Sequence, residues 1–192
     1  TNPGDNPTVK FTVGTKSAPI DPAVLDRFRL SLSGPNDDYS FRIQEIANRS
    51  HVWVADNTWT YTFDQHLPMD AYGSYTVSVE ARNIVPIDYG DEVSEENDNA
   101  ENPNIVFAVT DTSATPRRMV VDDFKCESCH NNLSYHGEIR HDPQYCNTCH
   151  MPSLLDRGPD LANTEAENVS MKWMIHKIHR GAELENGYVV YR

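Results

Sequence analysis

The sequence lacks a hydrophobic run that could cross a membrane. A transmembrane helix needs about 18 consecutive apolar residues, and no such run occurs among the 192 residues. A signal peptide is not visible either, because residues 1–5 are polar and turn-rich. We therefore expect a mature or trimmed N-terminus. We also expect a chain cut at the other end, where residues 187–192 begin a strand or an extended segment.

Basic residues are scarce, with 16 Lys and Arg against 29 Asp and Glu and a formal net charge of −13. This balance argues against nucleic-acid binding, which requires clustered cations to replace counterions. It suits an extracytoplasmic protein whose surface steers a cationic or metal-bearing partner. The sequence also offers no acid–base dyad or activated nucleophile, so we do not expect an enzyme active site.

Cysteine is scarce as well, and its placement is informative. All four cysteines fall in two motifs, Cys126-Glu127-Ser128-Cys129-His130 and Cys146-Asn147-Thr148-Cys149-His150. Two disulfides or a zinc site would also use four cysteines. The histidine directly after each pair instead favours c-type haem, in which both thiols bond to the haem vinyl groups and the histidine ligates the iron. The motifs predict two covalent haems c, electron transfer and a location outside the cytoplasm.

The two motifs lie close together in the chain. Sixteen residues separate Cys129 from Cys146. A covalent haem is wider than any side chain, so this linker must wrap one haem while it delivers the next. The spacing predicts neighbouring porphyrins and direct electron transfer between them.

Residues 1–115 predict an all-β domain. Residues 8–13 and 28–32 alternate polar and apolar side chains, as half-buried strands do. Further strands are expected at residues 39–43, 51–55, 59–63, 75–81 and 105–109. Short strands separated by turns predict a sandwich or split barrel of Greek-key or immunoglobulin-like type. Its core is expected to contain Trp53, Trp59, Tyr61 and Phe63.

An acidic run at residues 91–98 is expected to be a solvated loop between the last two strands. A calcium site is the alternative there, because hard oxygen ligands are abundant, although the spacing fits no EF-hand loop.

Residues 116–192 predict a second unit, a dihaem segment. Residues 121–192 hold too few large aliphatic side chains for a conventional core. We expect the porphyrins themselves to form the core of a mostly irregular and α-helical segment.

Two irons need two more axial ligands besides His130 and His150. A helix is expected at residues 169–180, ended by Gly181. Four apolar side chains share one face of it, and His176 and His179 lie at the edge of that face, where an i,i+3 pair can reach two haems. His136 lies too close to His130 to serve the same haem, so we expect it to serve the neighbouring one. The other candidates are His141, in a turn-like segment, and the methionines Met119, Met151, Met171 and Met174. The last two lie on the apolar face of the helix, which is more typical of packing.

Histidine on both sides of the iron would favour low potentials and leave no open coordination position. Two histidines of the β-part, His51 and His66, are expected to be surface or turn residues.

Several segments together resemble the OmcA/MtrC family, the decahaem cytochromes of the outer cell surface of metal-reducing bacteria. They are Arg117-Arg118-Met119-Val120-Val121-Asp122, the two haem motifs with Met151-Pro152, Tyr135-His136-Gly137 and Met174-Ile175-His176-Lys177-Ile178-His179. The resemblance implies haems ligated by two histidines, with His136, His176 and His179 as distal ligands, one of the last two serving a haem beyond this chain.

The resemblance further implies a pentahaem domain after a β-domain. It implies electron delivery from other haem proteins or a porin–cytochrome complex to metal oxides, soluble metals or flavins. It places the chain at the outer face of the outer membrane, with a lipid anchor or a partner as its membrane link. With only two motifs present, the chain is either a fragment of a longer cytochrome or a short relative that has lost the rest, and we expect the fragment.

Two other functions remain open from the sequence. One is a dihaem enzyme or sensor module with an open iron that binds a small ligand. The other makes the β-domain the functional part, as a docking module for a mineral, a partner cytochrome or a glycan.

Overall fold

The computed structural model describes residues 1–158 and 166–191. Within them, antiparallel β-sheets are followed by a short helical segment, as expected. The strands are β1 (Thr8–Thr12), β2 (Arg27–Gly34), β3 (Phe41–Ile46), β4 (Val52–Ala55), β5 (Thr58–Thr62), β6 (Ser74–Asp88), β7 (Val93–Asn99) and β8 (Asn104–Ala108). The α-helices are α1 (Asp123–His130), α2 (Pro143–Cys149) and α3 (Met171–His179).

The strands form two antiparallel sheets. The smaller sheet has the order β1-β5-β4. In the larger sheet β2 lies between β3 and β6, and the long strand β6 pairs along its other edge with β8 in its first half and β7 in its second. The hydrophobic core draws on both sheets, and the rings of Phe11 in β1 and Phe28 in β2 lie 4.9 Å apart.

The acidic run at residues 91–98, expected to be a loop, instead contributes most of strand β7. Residues 93–99 pair with β6 from Asp88 back to Arg82. The free edge of β6 offers backbone hydrogen-bond partners, which outweigh the low strand propensity of acidic side chains when these face solvent. Among the described residues, which include the acidic run, no three His, Cys, Asp or Glu side chains converge to hold a metal ion.

Trp53 lies outside the hydrophobic core, contrary to the prediction. Trp59, Tyr61 and Phe63 are buried as predicted, but Trp53 is 63% exposed. Trp53 pairs in register with Trp59, yet β4 is the edge strand of its sheet and all four of its residues are exposed. Alternation of polar and apolar residues identifies a strand but not its place in the sheet. The hydrophobic core does not extend to the edge strand β4, so Trp53 stays exposed.

The larger sheet buries a polar face as well as an apolar one. The apolar face carries Phe28, Leu30 and Leu32 of β2 into the core. The opposite face carries polar side chains from three adjacent strands, all in register: Arg29, Ser31 and Ser33 of β2, Arg42 and Gln44 of β3, and Thr76, Ser78 and Glu80 of β6. We call this set the polar face. Four of its members, Ser31, Ser33, Ser78 and Glu80, are 0% exposed, because the segment that follows the sheets packs over them.

The last helix is two residues shorter at its start than the expected 169–180. Arg180 follows it as the capping residue. Gly181 begins a short 3-10 turn rather than adopting a left-handed cap conformation. The expected boundary at 115/116 lies in the connection between β8 and α1, where no helix or strand is formed. Residues 187–191 form no strand.

Candidate haem-binding site

Helix α1 carries the first Cys-x-x-Cys-His motif on an exposed surface. Asp122 begins the helix, and its carboxylate accepts a hydrogen bond from the N–H of Phe124 at 3.0 Å. None of the helix residues is buried, and Phe124 is 69% exposed. Burial raises the pKa of Cys126, while Cys129 is exposed. The motif is therefore presented by a helix with little protein packing of its own.

Helix α2 carries the second motif in a buried setting. Asp142 caps it by accepting from the N–H of Gln144 at 2.7 Å, and Pro143 supplies the fixed φ that suits a first turn. Tyr145 and Thr148, on either side of Cys146, are 0% exposed. Burial raises the pKa of the Cys146 thiol to about 12. The two motifs thus differ sharply in how much protein surrounds them.

The polar face holds α2 in place. The hydroxyl of Tyr145 donates to Glu80 at 2.9 Å and accepts from the amide of Gln44 at 3.3 Å. The hydroxyl of Ser33 donates to the carbonyl of Thr148 at 3.2 Å. The guanidinium of Arg140 donates to Glu80 at 2.8 Å. Side chains from three strands therefore bind the segment that bears the second motif.

Glu80 is the centre of this attachment. Besides Arg140, its carboxylate lies 3.5 Å from Arg27 and 3.8 Å from Arg29. A single buried carboxylate therefore faces three guanidinium groups, of which only Arg140 makes a close hydrogen-bonded pair.

The structure brings four of the predicted ligands together in two pairs. The rings of His130 and His179 have centres 6.1 Å apart and planes at 89°. The rings of His136 and His150 have centres 6.0 Å apart and planes at 29°. Each pair joins the histidine of one motif to a histidine from elsewhere in the chain.

These separations fit a haem iron between each pair. Because a metal–imidazole bond is about 2 Å long and the ring centre lies about 1 Å beyond the bonded nitrogen, two imidazoles on opposite sides of one iron have centres about 6 Å apart. His136 reaches this position through a strained backbone, since His136, Gly137 and Glu138 all have positive φ. Strain of this kind in non-glycine residues is typical of functional sites.

Backbone carbonyls orient several of these rings. The Nδ1 atoms lie 2.7 Å from Val169 O in His150, 2.8 Å from Ile175 O in His179 and 2.6 Å from Lys172 O in His176. When Nδ1–H donates to a carbonyl, Nε2 is left as a lone-pair ligand for a metal. Burial also lowers the pKa of His150, and the nearby charges of Arg140 and Arg42 lower it further, which favours the neutral ring.

Other candidates are not placed beside a second imidazole in the described part of the chain. His176 is exposed, and a groove beside it is lined by Trp173, Lys177, Arg180 and Leu184. His141 bonds Leu133 O at 3.1 Å. His51 bonds Ala47 O and Asp21, and His66 bonds Leu67 O. On α3, Met171 and Met174 are half-buried, as packing residues are.

The comparison with known families now bears on this site. Residues 118–190, which contain both motifs and all four paired histidines, match the family model described as outer membrane cytochrome MtrC/MtrF-like, domains II/IV. Over these residues the chain is similar to that family. No curated protein matches the chain.

The match indicates an outer membrane cytochrome domain over residues 118–190. The residues present fit c-type haem, because all four cysteines and their adjacent histidines lie on α1 and α2 or at their ends. In the described residues, no helix is long and apolar enough to span a membrane.

Sequence reasoning missed the residues beneath the second motif. Glu80 and Arg140 are far apart in the chain, and neither stands in a recognisable motif. The available signal was a lone carboxylate within the strand predicted at 75–81, in a position that alternation assigns to solvent. Such a position reads as ordinary surface until the segment that covers it is known.

Proposed function

We propose that the chain binds two haems c, at Cys126/Cys129 and at Cys146/Cys149, and relays electrons outside the cell. His130 and His179 would hold the first iron, and His150 and His136 would hold the second. The observation that carries this assignment is the separation of about 6 Å in both imidazole pairs.

This ligation supports outer-sphere electron transfer rather than substrate binding. With two histidines as ligands, each iron would have no position left for a small-molecule ligand. Acceptors would then exchange electrons at the haem edge, which allows a broad range: metal oxides, soluble metals and flavins. The net charge of −13 would attract cationic metal species.

The donor is another haem protein or a porin–cytochrome complex. His176 offers a further ligand next to His179 on α3. Its Nδ1 is occupied by Lys172 O, which leaves Nε2 for iron. We propose that it ligates a haem carried by a longer polypeptide or by a partner, continuing the relay.

Haem content and iron spin state test the proposal directly. The chain, expressed with the c-type attachment machinery, is expected to gain the mass of two haems and to show only low-spin spectra in both oxidation states. Addition of carbon monoxide to the reduced protein is expected to change nothing. A high-spin band, or rapid carbon monoxide binding, would instead support the dihaem enzyme or sensor.

Single substitutions test the pairing. H179A and H136A are each expected to convert one haem to a high-spin form that binds carbon monoxide, and the two affected haems are expected to be different. H66A, which alters a histidine of the β-domain, is the matched control and leaves both haems low-spin. If H179A and H136A affected the same haem, the assignment would be wrong.

The acceptor range is tested separately. The reduced protein is mixed in a stopped-flow instrument with a soluble ferric chelate or with flavin mononucleotide, and haem reoxidation is followed by absorbance. Reoxidation by both is expected. Failure with every metal and flavin tested would leave an electron carrier whose acceptor is another protein.

A further inference from the structure

We propose that a cavity in the β-domain binds an oxyanion of the phosphate class. The cavity has a volume of about 160 Å³, and three arginines, Arg27, Arg29 and Arg82, line it. No residue of either Cys-x-x-Cys-His motif lines this cavity. The proposal therefore adds a site to the β-domain that is distinct from the haem sites and does not require haem to be bound.

Strand register brings the three arginines together. Arg27 of β2 pairs with Arg82 of β6, and Arg29 pairs with Glu80, two residues before Arg82. Opposite residues of an antiparallel pair lie on one face of the sheet with Cβ atoms about 5 Å apart, and residues two apart in a strand share that face. The polar face therefore continues into a group of arginine side chains at this end of the sheet.

Carboxylates do not balance this positive charge. Glu80 Oε2 is hydrogen-bonded to Arg140 at 2.8 Å. Asp26 also lines the cavity, and its carboxylate accepts from the N–H of Ile84 at 2.7 Å. Together with the three arginines of the cavity, Arg140 makes four guanidinium groups for two carboxylates. An excess of two positive charges results, in a chain whose net charge is −13.

The arginines lie close enough to repel one another. Burial lowers the pKa of Arg27, and the charges of Arg29, Arg82 and Arg140 lower it further, against the opposing effect of Glu80. Like charges held together in this way destabilise the fold unless an anion compensates them.

Several donors of the group lack an acceptor. Arg82 Nε is buried and has no hydrogen-bond partner among the described residues. Arg27 and Arg29 lie 3.5 and 3.8 Å from Glu80 Oε1, beyond the length of about 2.7–2.9 Å of a charge-assisted hydrogen bond. Buried N–H groups in native proteins are normally bonded to protein, water or a ligand. Unsatisfied guanidinium donors around a cavity thus indicate an acceptor group inside it.

Phosphate is the chemical group that fits these donors. Guanidinium binds phosphate oxygens through two parallel N–H···O bonds, and a phosphate group carries a charge of about −1.5 to −2 at pH 7, close to the local excess. The side chains of Arg27 and Arg29 are 27% and 30% exposed. A larger molecule could therefore insert its phosphate group from solvent.

The site lies where the β-domain meets the segment that carries His136. Arg82 Nη1 donates to Asn97 Oδ1 at 3.0 Å, and the Asn97 amide donates to Gly137 O at 3.3 Å. An anion bound to Arg82 would steady this link. Because a ligand that binds only the folded state stabilises it, phosphate is expected to raise the urea midpoint of the chain.

The test is isothermal titration calorimetry of the haem-loaded chain with inorganic phosphate and, separately, with glycerol phosphate, at an ionic strength fixed with sodium chloride. R27Q/R29Q is compared with K10Q/R49Q, which removes two charges from exposed positions of the β-domain. We expect one phosphate per wild-type chain and unchanged affinity in K10Q/R49Q. In R27Q/R29Q the affinity is expected to fall by at least about tenfold.

This pattern with inorganic phosphate supports the proposal. Tighter binding of glycerol phosphate also supports it and identifies the phosphate group of a larger molecule as the ligand. Absence of binding to the wild type, or equal affinities in the two double variants, would overturn it. If R27Q/R29Q does not fold, R29Q serves alone, and wild-type affinity in R29Q would overturn the proposal.

Discussion

Glu80 is the residue whose loss should reveal how the β-domain holds the haem segment. The change to test is E80Q, which keeps the shape of the side chain and removes its charge. Glu80 is 0% exposed, and it accepts hydrogen bonds from Arg140 at 2.8 Å and from Tyr145 at 2.9 Å. Three arginines would then share a pocket without a counterion.

The expected cost follows from this burial. Removing one partner of a buried ion pair destabilises a protein by about 3–5 kcal/mol, because the remaining charge stays desolvated. Arg27 and Arg29 are partly exposed, with side-chain exposures of 27% and 30%, and can turn toward water. Arg140, at 14%, cannot do so as easily. We therefore place the loss at about 3 kcal/mol, the lower end of that range.

The assay is urea unfolding of the haem-loaded chain, followed by circular dichroism in the far ultraviolet. E95Q, an exposed change on β7, is the matched control and should alter the free energy of unfolding by less than about 0.5 kcal/mol. The double variant E80Q/R140Q should recover part of the loss, since the unpaired cation is removed. If E80Q unfolded at the wild-type urea concentration, the pocket would not be the anchor that its geometry indicates.

Three further predictions address the domain connection, pH dependence and the core. Replacing buried Asn102 with alanine removes the hydrogen bonds that its side-chain amide donates to Val79 O at 3.2 Å and to Ile139 O at 3.1 Å. This change should lower the free energy of unfolding by about 1–3 kcal/mol in the same urea assay. An unfolding midpoint equal to that of the wild type would contradict this prediction. The Asp156 carboxylate accepts from the N–H of Tyr191, and this bond, followed by those from Glu167 and Gly158, lowers its pKa. Because this pKa is lowered, the carboxylate contributes stability that is present above the ordinary pKa of 3.8 and is lost as the pH falls through the lower folded-state pKa. In this acid range the urea midpoint of the wild type should therefore fall more steeply than that of D156N. Parallel pH profiles of the two proteins would refute the role of Asp156. W59S should lower the free energy of unfolding by about 3–5 kcal/mol and W53S by less than about 0.5 kcal/mol, as measured by thermal unfolding. The two effects should differ although the two tryptophans pair across neighbouring strands. Equal losses would mean that strand β4 is covered rather than exposed.

The haem chemistry can be inferred from short stretches of sequence. The Cys-x-x-Cys-His motifs specify c-type haem because covalent attachment needs two thiols and an iron ligand within five consecutive residues, a purely local requirement. Strands are local in the same sense, since alternation is written into neighbouring residues. Seven of the eight described strands were predicted on that basis, and helix α3 was recognised from its apolar face and the residues that follow it.

Which of these residues come into contact depends on the folded chain. The pairing of His136 with His150, and of His179 with His130, depends on how the chain folds back, and no local pattern encodes that separation. The polar face shows the same limit most clearly. In an alternating strand the polar side chains of Ser31 and Glu80 would be expected to face solvent, whereas both are 0% exposed, and Arg140 covers Glu80. A strand pattern records which side chains are apolar, but burial of the other face depends on a segment that lies 60 residues or more away in sequence.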